Sequence, residues 1–133
     1  MALQASTPVR NAMLDAIETT VGASPTLELR SGPVPANVGA ADAGTLLASM
    51  VLPADWLANA AAGSKGLLGT WRDSGADAAG TVAHYRIKQG LTTHLQGTAS
   101  GTGGGGDIIL DNPTLTVGQV VTITAYNLAQ SGA

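Results

Sequence analysis

Hydrophobic residues recur with a helical period at one place in the chain. Between residues 8 and 21, Val9, Met13, Ile17 and Val21 return every four positions and Leu14 widens the stripe, while Arg10, Asp15 and Glu18 fall off it. Ser6 and Thr7 are N-cap candidates, Pro8 suits the first turn, and Gly22 follows the last apolar position. The pattern predicts an amphipathic helix docked on a sheet or, read more sharply, an arm reaching onto a neighbouring subunit.

From Thr26 onward the period shortens to two and Gly, Pro and Ser break the chain into short strands. Thr26 to Arg30 alternates cleanly. Residues 31–44 (SGPVPANVGAADAG) carry two Pro and three Gly, which cannot sustain a ladder, so they form a candidate contact loop. Residues 45–52 read as a buried strand, 53–56 as a turn or short helical start, and 57–69 as Ala- and Gly-rich without a clear period. Residues 81–88 and 92–97 read as a hairpin. A three-residue loop Gln89-Gly90-Leu91 pairs Lys88 with Thr92, Ile87 with Thr93 and Tyr85 with Leu95. Tyr85, Ile87 and Leu95 then face inward, and His84, Arg86, Lys88, His94 and Gln96 share the outer face. Residues 97–106 (GTASGTGGGG) predict a flexible hinge or loop. Residues 107–111 read as a strand ended by Asn112-Pro113. Residues 114–117 and 120–126 are two more strands around a Gly118-Gln119 turn.

About seven short strands after one helix predict a mainly β fold, an antiparallel β-sandwich or jelly-roll-like domain with an N-terminal α-helix. One domain spans 1–133, with an arm and helix over 1–24 and the β-sandwich over 25–133.

Composition shifts attention from chemistry to assembly. Of the apolar residues 23 are Ala, no Phe is present, and two Trp and two Tyr supply the aromatic bulk, so the core is small and marginal by itself. Charged residues make up 11% of the chain, less than half of a typical globular share. Such a bland surface suits lasting subunit contact, including homo-oligomerisation, better than free circulation. The net charge of −3 and six scattered basic residues argue against nucleic-acid binding. No stretch reaches the length of a bilayer span, and the N-terminus lacks the basic and apolar regions of a secretory signal, so no membrane partner is expected. The absence of Cys removes disulfides and thiolate metal sites.

Each candidate chemical motif fails on a specific requirement. Gly101, Gly103 and Gly106 match a G-x-G-x-x-G spacing, but a strand rather than a helix follows, so no N-terminus meets a pyrophosphate. Gly63-Ser64-Lys65 lacks the order of a phosphate loop. His84 and His94 would make two metal ligands where a zinc site needs three or four, with Arg86 and Lys88 beside them. They read as surface or interface histidines. No nucleophile elbow supports a hydrolytic triad, and Glu18, Glu28 and the Asp residues form no carboxylate pair for glycoside cleavage. Asp73 and Asp77 resemble half a calcium loop, but Ala78 and His84 stand where Gly and Glu are required. No catalytic, cofactor-binding or metal residue is therefore assigned. Trp56 and Trp71 read as core or interface anchors, with a carbohydrate-stacking platform as the other possibility. The interface expected is built from Val9, Met13, Ile17, Trp56, Trp71, His84, Arg86 and His94.

Four segments carry a resemblance to known proteins. Residues 9–37 (VRNAMLDAIETTVGASPTLELRSGPVPAN), 52–58 (LPADWLA), 84–88 (HYRIK) and 103–112 (GGGGDIILDN) together resemble a family of small virion proteins of tailed bacteriophages. The resemblance implies a non-enzymatic virion component, made in the host cytoplasm. A capsid decoration or cement protein bound to the major capsid protein or other virion proteins is the first expectation. The second is a tail- or fibre-associated module that contacts a host glycan.

Overall fold

A computed structural model describes residues 3–130, so the first two and last three residues of the expected domain lie outside the described residues. The helix α1 runs over Thr7–Val21, with the Ser6 side chain accepting from the Val9 N–H at 3.4 Å and Pro8 in the first turn. It ends at Gly22, whose positive φ of 95° lets its N–H return to the Glu18 carbonyl at 2.9 Å.

Ten strands follow. They are β1 (Thr26–Arg30), β2 (Leu46–Val51), β3 (Ser64–Gly66), β4 (Arg72–Asp73), β5 (Gly80–Thr81), β6 (His84–Gln89), β7 (Thr92–Gly101), β8 (Ile108–Leu110), β9 (Thr114–Leu115) and β10 (Val121–Ala129). The main sheet has the order β2-β1-β6-β7-β8-β10-β3, with β4 also on β10 and β5-β9 as a separate pair. The protein is thus mainly β with one N-terminal helix, as its sequence predicts. The sheet curls until β2 lies beside the β4 segment, where Ser49 N–H meets Asp73 Oδ2 at 3.2 Å and Asp77 N–H meets the Leu47 carbonyl at 2.8 Å. This contact covers the outer edge of β2, which would otherwise template aggregation.

One pair departs from the antiparallel expectation. β7 and β8 run parallel, Ala99 opposite Ile108 and Gly101 opposite Leu110. Parallel neighbours ordinarily need a crossover of about a dozen residues. Here residues 102–107 suffice: of the segment read as a hinge, 97–101 is the end of β7 and the rest belongs to a tightly folded return. Gly104 N–H bonds the Gly101 carbonyl at 3.0 Å, Gly106 N–H bonds Ser100 Oγ at 2.9 Å, and Gly103 and Gly105 take positive φ. A Cβ on Gly106 would lie 2.7 Å from the Ser100 nitrogen, so only glycine fits the approach.

The core is one cluster enclosed by the sheet and helix: Leu27 and Leu29 of β1, Leu47, Ala48 and Met50 of β2, Tyr85 and Ile87 of β6, Ile108 and Leu110 of β8, and Val121, Ile123 and Tyr126 of β10 surround Trp56 and Trp71. The helix contributes Leu14 and Val21, with Ile17 packed at the margin. Val9 and Met13, on the stripe predicted to dock, are half exposed. The N-terminal half of the helix meets the body through polar side chains instead.

Candidate interaction site

The strand register decides which side chains could act together. In β1 and β6, Glu28 faces Arg86 and Arg30 faces His84; in β6 and β7, Arg86 faces Gln96 and His84 faces Thr98. These residues share one face of the sheet, and Leu27, Leu29, Tyr85, Ile87 and Leu95 share the other. The predicted sidedness of Tyr85, Ile87 and Leu95 holds, but the predicted register does not. Ile87 pairs with Leu95, Lys88 with Thr93 and Gln89 with Thr92, so the turn is Gly90-Leu91 and His94 is bulged out of the ladder. The bulge absorbs the extra residue that the three-residue loop was meant to accommodate.

The face expected to be outermost is roofed by residues 31–44. This loop is closed at its neck by Ser31 N–H to the Thr45 carbonyl (3.1 Å) and Thr45 N–H to Ser31 Oγ (2.9 Å), making a compact Ω-type loop. Arg86, 1% exposed, holds the roof from beneath, donating to the carbonyls of Asn37 (3.1 Å) and Ala40 (3.0 Å), to Asp42 Oδ1 (2.8 Å) and to Gln96 Oε1 (2.9 Å). Gln96 in turn donates to the Pro35 carbonyl at 2.9 Å. Lys88 bridges Asp42 (2.6 Å) and Glu28 (3.0 Å), and Arg30 does the same at 3.3 and 3.0 Å. The Lys88 ammonium, with Arg86 and Arg30 beside it, holds the Asp42 carboxyl below its ordinary range. His84 is fully buried, its Nδ1 2.8 Å from the Gly32 carbonyl. A carbonyl only accepts, so Nδ1 carries the proton, and Nε2 has no partner among the described residues.

A second charged cluster anchors the helix. Lys65 of β3, its side chain 1% exposed, reaches Asp15 at 2.7 Å, Glu18 at 3.1 Å and the Ala58 carbonyl at 2.9 Å. The same carboxylates accept backbone N–H groups, Asp15 from Ala60 (3.0 Å) and Glu18 from Leu57 (3.1 Å), and Asn11 accepts from Gly63 at 2.9 Å. Asp15 is held below its ordinary pKa, first by the Lys65 hydrogen bond. For Glu18, burial works in the opposite direction but is outweighed by the Leu57 N–H and Lys65, so its pKa also falls. Asp55 moves up because it shares a hydrogen bond with Glu18.

The expected interface residues therefore divide. Trp56 and Trp71 are buried with ring centroids 6.0 Å apart, their indole N–H groups held by the carbonyls of Gly22 (3.1 Å) and Leu68 (3.2 Å). They are core anchors of this chain, and neither offers a face to a sugar ring. His84 and Arg86 are internal too. Ile17 is half-buried, His94 half-buried at the bulge, and Val9 and Met13 stand on the surface. The histidines are not neighbours, because the partner of His84 is Thr98, four residues or roughly 13 Å along β7 from His94. No group of three or more His, Cys, Asp or Glu suited to a metal occurs among the described residues.

Sequence reasoning missed Asp42, Glu28, Arg30, Asp15, Glu18 and Lys65 as network members. Asp42 had a readable signal as the one charged residue in the 31–44 loop. Beside it, a shallow cavity of about 340 Å³ opens between the loop and the hairpin tip, lined by Val38, Ala41, Arg86, Lys88, Leu91 and Thr93. Its two cations are already neutralised by Asp42 and Glu28. Structure and site together define a small β domain whose buried charges act as internal fasteners. The chain matches no protein-family model, no curated protein and no solved structure.

Proposed function

We propose that the chain is a non-catalytic structural protein that works by packing against other proteins, as an accessory component of a tailed-phage virion and most specifically as a decoration protein on its capsid. One observation carries the packing role: buried or half-buried ion pairs engage Arg30, Lys65, Arg86 and Lys88 inside the fold, while Leu3, Val51, Leu91 and Val117 stand exposed. A sparsely charged surface studded with aliphatic side chains gains more from burial than from solvation. The virion placement rests on the resemblance of residues 9–37, 52–58, 84–88 and 103–112. The alternative glycan-binding role lacks a stacking platform, since both Trp side chains lie in the core.

Quantitative mass spectrometry of purified virions tests the proposal. Hundreds of copies per particle is the expected result. A few dozen or fewer would remove the capsid-decoration role, and absence from the particle would remove the virion role altogether.

A further inference from the structure

The sheet is covered along most of its edges and open along one. The outer edge of β2 is covered by the 73–78 segment, and β3 is flanked by residues 57–61 through the Ala58 N–H to Gly66 carbonyl bond and the Leu57–Leu67 and Ala61–Ser64 bridges. β7 differs. It pairs with β6 from Thr92 onward, but β8 reaches only Ala99 to Gly101 on its other side. Ala99 N–H crosses to the Ala83 carbonyl on the β6 side, and Thr98 N–H turns the opposite way onto Asp107 Oδ2 at 3.1 Å. Strand alternation then directs the Gln96 N–H and carbonyl outward as well, where no partner meets them among the described residues. Thr92 to Gly97 is therefore an open strand edge.

This edge lacks most of the devices that natural proteins use to discourage pairing. It holds no Lys, no other formal charge and no Pro, and it is blunted by the bulge at His94 and, at its far end, by the Asp107 carboxylate on the Thr98 N–H. At its start stands Leu91, wholly exposed on the hairpin tip, with half-exposed Val38 across the cavity. We infer that Thr92–Gly97 is a self-pairing edge, at which a second copy of the chain adds its own β7 in antiparallel register. A strand paired with itself about a two-fold axis sets each residue against one of the same chain. Self-pairing is therefore favoured where no charge exists to oppose itself, and this uncharged strand meets that condition. The same geometry carries each Leu91 onto the far end of the other copy's strand. The inference rests on the packing role proposed above and names one partner for it.

Sedimentation of the purified full-length chain, with amide exchange read residue by residue, tests the pairing. The expected result is a reversible dimer in which Gln96 N–H protection rises with protein concentration while that of Ala99, bonded within the chain, does not. His94→Asp and His94→Lys each place like charges near the axis and should weaken the dimer roughly fivefold. An equimolar mixture of the two should regain it, which a misfolded variant could not do. A wild-type chain that stays monomeric, or variants that dimerise as well alone as mixed, would overturn self-pairing. Neither result touches the copy number in the virion, which decides the packing role separately.

Discussion

Asp42 gathers Arg30, Arg86 and Lys88 from two adjacent strands onto one carboxylate. Two of those cations are among the better buried in the protein, and a buried cation left without its counter-charge costs more than the pair contributes. Asp42→Asn keeps the volume but turns an amide N–H₂ or a neutral oxygen toward the guanidinium. The expected loss is roughly 2 kcal/mol in urea denaturation, discounted because the carboxylate is a third exposed. Amide exchange in residues 31–44 should also quicken. Unchanged stability and exchange would show that the backbone carbonyls at Asn37 and Ala40 suffice to hold the roof. In the sequence, Asp42 stood out as a lone charge but its partners did not, because Arg30, Arg86 and Lys88 lie 12 to 46 residues away and meet it only through strand register.

The helix illustrates a different balance. Its existence and ends were legible, since Ser6, Pro8 and Gly22 act locally. Its docking was not, because the stripe Val9, Met13, Ile17 and Val21 describes an ideal contact face while the body offers backbone N–H groups and a buried Lys65 to Asp15 and Glu18, which lie off that stripe. Asp15 and Glu18 have depressed pKa values, so the stability they contribute is present above their ordinary values of 3.8 and 4.5 and is lost as pH falls through their lower folded values. Asp55 opposes them, since its raised pKa favours the fold on the acid side of 3.8. The carboxylates facing Lys65 outnumber it, and acidification should free the helix by leaving that buried ammonium unpaired. Far-ultraviolet circular dichroism is expected to lose its helical component below about pH 4 while the β signal persists. Lys65→Met, which removes the buried cation, should carry the helical signal to lower pH. Simultaneous loss of both signals in the two proteins would rule out independent release of the helix.

At the scale of the whole molecule, one aromatic column joins the elements. Trp56, Trp71, Tyr126 and Tyr85 touch in sequence, with centroids 6.0, 5.5 and 5.4 Å apart, and the two tyrosine hydroxyls share a hydrogen bond of 2.8 Å. Burial pushes the Tyr85 hydroxyl up to about 12 and Tyr126 further in the same direction. A phenol with a raised folded pKa supports the fold fully below its ordinary value of 10.0, and that support disappears as pH rises through 12. Both tyrosines of the chain lie in this column. Tyrosinate absorbance should therefore appear late, in one cooperative step with the change in tryptophan fluorescence. Smooth titration near pH 10 with the fluorescence unchanged would place the hydroxyls in contact with water.

What the sequence alone determined is local: the capped helix, most of the longer strand segments, and the β class that their spacing implies, each set by residues within a few positions of one another. The tertiary structure decided everything that depends on register. A one-residue bulge at His94 reset the hairpin, and six residues rich in glycine became a parallel return instead of a hinge. Residues 31–44 turned His84 and Arg86 from a surface pair into buried fasteners. Period-two patterning specifies which residues share a face, but not what covers that face. That depends on where a distant loop lands, and so does whether a charge near the surface meets solvent, a counter-ion or another chain.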